Sequence, residues 1–148
     1  MIRVRHNAIA LVMLLCFGSL LLLLSCGKRS RVKTWEQAHA EAMNVIANRQ
    51  RWPASPEAVC EAFWEARRAK DYKEMEILWP GSGSYNWPEI CKDDPDVKYV
   101  FGKANETGMS VPYAEEGYFK EHGSYNLTMV MGSFKTPRGL RYYIVSGN

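Results

Sequence analysis

Histidine is scarce in this sequence, with three in 148 residues. His6 sits in the basic N-terminal segment, which leaves His39 and His122 for any later chemistry. Neither belongs to an H-x-H or H-E-x-x-H pattern, so no metal site is expected. A phosphate-binding G-x-x-x-x-G-K-[ST] loop, a G-x-S-x-G elbow, a dinucleotide fingerprint and an internal repeat are all missing. Nucleotide chemistry and serine hydrolysis therefore have no foothold, and no cofactor is expected. An excess of one charge sign is lacking too. The formal charge of +3 comes from 19 basic and 16 acidic residues, but Arg3 and Arg5 lie in the first 25 residues, which hold no acid. The rest carries 17 basic against 16 acidic residues. That near balance leaves a nucleic-acid partner without an electrostatic footprint.

What is present begins at the N-terminus. Arg3, Arg5 and His6 precede an uncharged run from Ala8 to Leu24. A positive segment before an apolar one is the layout of a secretory signal peptide. An uncleaved membrane-spanning helix is the alternative, since the run reaches the lower edge of the spanning range. Its orientation would be awkward, because Lys28, Arg29, Arg31 and Lys33 outnumber the basic residues before the run. The positive-inside rule would then keep the following domain in the cytoplasm.

The run ends in Leu23-Leu24-Ser25-Cys26-Gly27, which resembles the lipobox of bacterial lipoproteins. That resemblance implies cleavage after Ser25, acylation of Cys26 and retention at a membrane. Two or three acyl chains make such attachment stable where one does not. Gly27 stands where an Asp would imply the inner membrane, so the resemblance points to the outer membrane, facing the periplasm. The expected organisation is a signal peptide over 1–25, a lipidated cysteine and basic tether over 26–33, and one domain over 34–148.

Within that domain, Thr34 and Gln37 have capping-box spacing, and Trp35, Ala38, Ala42, Val45 and Ile46 recur at helical intervals. A helix is expected over about 35–50. Ser55 and Pro56 suit the start of a second, striped by Val59, Ala62, Phe63, Ala66 and Ala69. Asp71 breaks the pattern, and a short third helix through Met75 and Leu78 stops before the loop-forming Pro80-Gly81-Ser82-Gly83-Ser84. Period-two segments follow around 97–101, 109–115, 118–121, 125–131 and 140–145, which predicts an antiparallel meander. Thr136-Pro137-Arg138-Gly139 reads as a turn, and Pro112 as the mark of an edge strand or a bulge.

Helices first and strands second is an α+β pattern, with the helices covering one face of a curved antiparallel sheet. Residues 55–147, from Pro56-Glu57-Ala58-Val59 through Ala69-Lys70-Asp71-Tyr72 to Tyr142-Tyr143-Ile144-Val145, look like the nuclear-transport-factor-two-like superfamily. The resemblance implies a cone-like domain with a pocket at its open end. Trp79, Trp87, Tyr99 and Tyr118 fall in the half that would border such a pocket, which would favour a small apolar ligand. Core filling is the plainer account of the same aromatics.

Enzymes of that superfamily use an acid or a histidine inside the cone as a general base. Asp71, Glu115, Glu116 and His122 are the groups available here. Asp71 also serves as a helix stop, and the acidic pair as edge-strand solubility. The leading expectation is thus a lipid-anchored cell-envelope protein with a non-enzymatic domain that binds a ligand or another envelope protein. A small-molecule lyase or isomerase and a structural envelope-assembly lipoprotein are the alternatives. Cys60 and Cys91 are either packed thiols or a disulfide, which would close a loop of about 30 residues and contribute roughly 2–4 kcal/mol.

Overall fold

The computed structural model describes residues 34–92 and 96–147. The leader, Cys26 and the basic tether lie outside the described residues.

Helix α1, Trp35–Asn48, opens on the expected capping box. Thr34 Oγ1 accepts from the Gln37 amide at 3.3 Å, and Gln37 Oε1 accepts from the Thr34 amide at 3.2 Å. Helix α2, Pro56–Arg68, starts with Ser55 Oγ accepting from the Ala58 amide at 3.2 Å and with Pro56 in its first turn. Its buried stripe is Val59, Cys60, Phe63 and Ala66. Helix α3, Tyr72–Leu78, buries Met75, Ile77 and Leu78.

The break between α2 and α3 is a Schellman motif. The Asp71 amide donates to Ala66 O at 2.8 Å, the Lys70 amide donates to Arg67 O at 3.0 Å, and Lys70 adopts a left-handed φ of 55°. Lys70 thus stops α2, while Asp71 starts α3 by accepting the Glu74 amide on Oδ1 at 3.0 Å. The stop falls one residue before Asp71, where the break in periodicity suggests it.

The Gly/Ser stretch is ordered rather than open. Pro80–Ser82 form a 3-10 turn and Trp87–Ile90 a short helix, α4, which composition did not foreshadow. Ser82 is fully buried and its hydroxyl donates to Trp79 O at 2.7 Å.

The sheet is an antiparallel meander, β1 Tyr99–Phe101, β2 Ser110–Glu115, β3 Leu127–Thr136 and β4 Gly139–Gly147, with spatial order equal to chain order. Ile46, Val59, Phe63, Met75 and Leu78 from the helices form one core with Val111, Met129, Met131 and Ile144 from the strands. An α+β domain with α1, α2 and α3 on one sheet face is therefore what the chain builds.

Two strand expectations are corrected. Tyr118–Glu121 is not a strand but lies in helix α5, Glu116–His122, which ends on Gly123 at φ 65°. Helical signals outweigh the apparent alternation: Glu116 pairs with Lys120 one turn on at 3.0 Å, Tyr118 stacks on His122 at 4.2 Å, and glycine follows the last turn. Helix α5 packs on β1 and β2, and Ala114, on the face opposite Val111 and Tyr113, is fully buried. Pro112 lies in an interior strand rather than an edge, and the bulge falls elsewhere, where Val130 pairs with Ser146 but Met131 with Ile144. Proline is tolerated because β1 stops at Phe101. Only the Pro112 carbonyl is used on that side, accepting the Gly102 amide at 2.8 Å.

Candidate functional site

The two edges of the sheet differ. On β4 two indoles meet backbone carbonyls, Trp52 Nε1 donating to Tyr142 O at 2.9 Å and Trp79 Nε1 to Val145 O at 3.0 Å. Arg141 Nη2 adds a bond to Arg49 O at 3.1 Å. Strand β1 forms the opposite edge. The Lys98 carbonyl and the Gly102 amide bond toward β2, so in an antiparallel ladder Val100 faces β2 as well and the main-chain groups of Tyr99 and Phe101 point outward.

Alongside that edge runs a groove walled by α2. Trp64 and Tyr99 stack against each other in its lining, 4.1 Å apart and 20° from parallel, and the Arg67 guanidinium lies 4.9 Å over the Trp64 ring. At the end near the α2 C-terminus the groove widens into a cavity of about 370 Å³, with Trp64, Val97 and Tyr99 as its apolar wall. Arg67, Arg68 and Lys70 also line it, against the carboxylates of Asp96 and Glu115. A second concavity of about 430 Å³ continues along β1 past Val100 and Phe101, between Glu61 and Glu65 of α2 and Glu116 of α5.

Local sequence explains these positions. Trp64 follows Phe63, so one residue of α2 faces the core and the next the groove. The Schellman turn brings Lys70 to the cavity, and the pairing of Tyr99 with Glu115 places both on one sheet face. Tyr113 packs behind, 6.1 Å from Trp64, and burial raises its phenol above the ordinary range. The indole N–H of Trp64 is buried with no hydrogen-bond partner.

Of the four aromatics expected around one pocket, Tyr99 alone lines this cavity. Trp79 and Trp87 stand 6.0 Å apart in a cluster with Phe63 and Tyr85, and Trp87 is part of the core. Tyr118 stacks on His122 in α5. Trp64, Arg67, Arg68 and Lys70 are site residues that the sequence signals only as one large aromatic beside the helix stripe followed by three cations.

Each acid–base group is placed as follows. Asp71 is an exposed helix cap, and His122 is exposed with Nδ1 3.1 Å from Tyr118 O. Glu116 is paired with Lys120, a bond that lowers its carboxyl below the ordinary range, opposite to what a general acid or base needs. Glu115 reaches the cavity but is exposed. Among the described residues no three histidine, cysteine, aspartate or glutamate side chains gather as a metal site.

Cys60 and Cys91 are both buried, and the structure holds them as separate thiols. Cys60 Sγ lies 3.7 Å from Met131 Sδ, and burial pushes its thiol up to about 12. No protein-family model, curated protein or solved structure matches the chain.

Proposed function

We propose that the chain is a lipid-anchored cell-envelope protein whose domain acts as a binding module through the α2–β1 groove. The observation that carries the binding part is the concavity of about 370 Å³ itself, with a stacked Trp64–Tyr99 pair and three cations in its lining. Aromatic walls with a few placed polar groups are the usual make-up of a ligand site. The anchor rests on the Leu23–Gly27 lipobox pattern and on the absence of an Asp after Cys26, which favours the outer membrane and the periplasmic side. In the same reading the domain is a small cone-like relative of the nuclear-transport-factor-two-like superfamily. Its support is the order of elements, helices α1 to α4 ahead of an antiparallel sheet, with α1, α2 and α3 packed on one face of it.

A lyase or isomerase would turn on Glu115, the one carboxylate of the earlier candidates in the 370 Å³ cavity's wall of cations and aromatics. Its exposure argues against that role, because a general base is tuned by an apolar enclosure. A structural envelope-assembly role would use the edge of β1 instead.

Metabolic labelling with a clickable fatty acid tests the anchor. The wild-type chain is expected to be labelled and shortened, and Cys26→Ala to be unlabelled and full-length. An unlabelled wild-type chain of full length would overturn the lipoprotein reading, and inner-membrane residence on a density gradient would overturn the outer-membrane one.

A further inference from the structure

The end of the groove near the α2 C-terminus joins two chemistries in one cavity. Trp64, Val97 and Tyr99 offer apolar surface, while Arg67, Arg68 and Lys70 face Asp96 and Glu115, so among the described residues lining this cavity cations exceed carboxylates by one. Arg67 is already engaged with the Trp64 ring. The cations that remain at the rim are Arg68, exposed on the last turn of α2, and Lys70, also exposed.

Lys70 occupies its place at a cost. Its φ of 55° is the left-handed conformation that a Schellman turn needs, and glycine fills that position without the clash an L side chain meets there. Gly123 does so at the end of α5. A lysine at the same position of α2 keeps an ammonium beside the cavity where backbone preference alone would place glycine. Unfavourable backbone conformations of this kind gather at binding sites.

We propose, resting on the binding reading above, that this cavity takes a small organic monoanion, a flat apolar body carrying one carboxylate. The body lies against the Trp64–Tyr99 wall and the carboxylate is met by Arg68 and Lys70. A single negative charge balances the lining, and a volume of about 370 Å³ suits a one- or two-ring acid. The small apolar ligand expected from the aromatics alone is thereby replaced by an acid with an apolar body.

Naphthoate and its neutral counterpart naphthylmethanol test this on the domain with its tether, by titration calorimetry and by the shift of the Trp64 indole NMR signal. The acid is expected to bind at least about tenfold more tightly than the alcohol, and to lose that advantage as salt is raised. Arg68→Gln is expected to weaken the acid about tenfold and leave the alcohol unchanged. Lys70→Gly is expected to weaken the acid similarly while raising Tm by a few degrees, a pairing that damage to the fold would not produce. Equal binding of acid and alcohol, or a Lys70→Gly protein that binds the acid as wild type does, overturns the anion and leaves the groove standing. Failure of both compounds to bind or to move the Trp64 signal overturns the anion and the groove together.

Discussion

Trp79 and Val145 are 66 residues apart in the chain, yet the indole Nε1 of one donates to the carbonyl of the other at 3.0 Å. Val145 is the extra residue of the bulge between β3 and β4, so the bond lands where the regular ladder is interrupted. The same indole packs edge-on to Phe63 at 5.8 Å, so one side chain both fills the core and closes a sheet edge. Trp79→Phe retains most of the packing and removes the donor. It is expected to cost about 1 kcal/mol in urea unfolding, with greater aggregation during refolding as the β4 edge is exposed. Unchanged stability and aggregation would refute that role.

Gly83 meets α1 without room to spare, because a Cβ added there would stand 2.9 Å from Ala38 Cβ. Ala38 has no torsion with which to withdraw. Gly83→Ala is therefore expected to destabilise by roughly 1–3 kcal/mol, read as a lower urea midpoint. The close approach is secured nearby by Trp35 Nε1 donating to Gly81 O at 3.2 Å. Trp35→Phe should weaken the same contact without the clash.

Glu57 ties the start of α2 to the segment after β1, its Oε1 accepting the Ala104 amide at 2.6 Å. That bond, aided by other local donors and Lys103, holds the carboxyl below its ordinary value of 4.5. A folded-state value below the unfolded one means the stabilisation is full above 4.5 and is lost as pH falls through the folded value. Wild type should therefore exceed Glu57→Gln in stability at neutral pH, and the gap should close on acidification below about pH 4.5. A gap that stays constant with pH would refute the linkage.

Cys60 is held neutral by burial, with its thiol pushed up to about 12. Thiolate is the reactive form, so iodoacetamide at pH 8 is expected to leave Cys60 unmodified in the native protein and to alkylate it in urea. A reducing agent is expected to leave Tm unchanged, as fits two separate thiols. A fall of several degrees on reduction would reveal a Cys60–Cys91 bridge instead.

The helices of this domain were legible because their signals are local. The Thr34–Gln37 box, Ser55-Pro56 and the Phe63–Ala66 stripe each act within one or two turns, and each appears as expected. The segment from Tyr118 to Glu121 reads as a strand because four residues with Tyr118 and Phe119 side by side are too few to show a period of 3.6. The Glu116–Lys120 spacing and Gly123 carried the better information. The groove was harder to foresee because it depends on which strand lies at the edge beside α2. Trp64 looks like any aromatic next to a core stripe until Tyr99, 35 positions on, is found stacked against it. The grouping of Trp79 and Trp87 away from Tyr99 likewise follows from the α4 turn, which no periodicity announces.

Strand order equal to chain order has a consequence for how the molecule assembles. The β3–β4 hairpin needs only a two-residue turn to form, so its pairing carries little loop-closure entropy and can precede docking. Trp52 and Trp79 must instead cross 90 and 66 residues to reach β4, which makes them late contacts. Until they arrive, a nine-residue strand stands open on one side. Both tryptophans precede β4 in the chain, so a protein emerging N-terminus first presents its edge guards before the strand they cover. Refolding from denaturant removes that head start, and is the condition under which the hairpin is most exposed to pairing with a second copy.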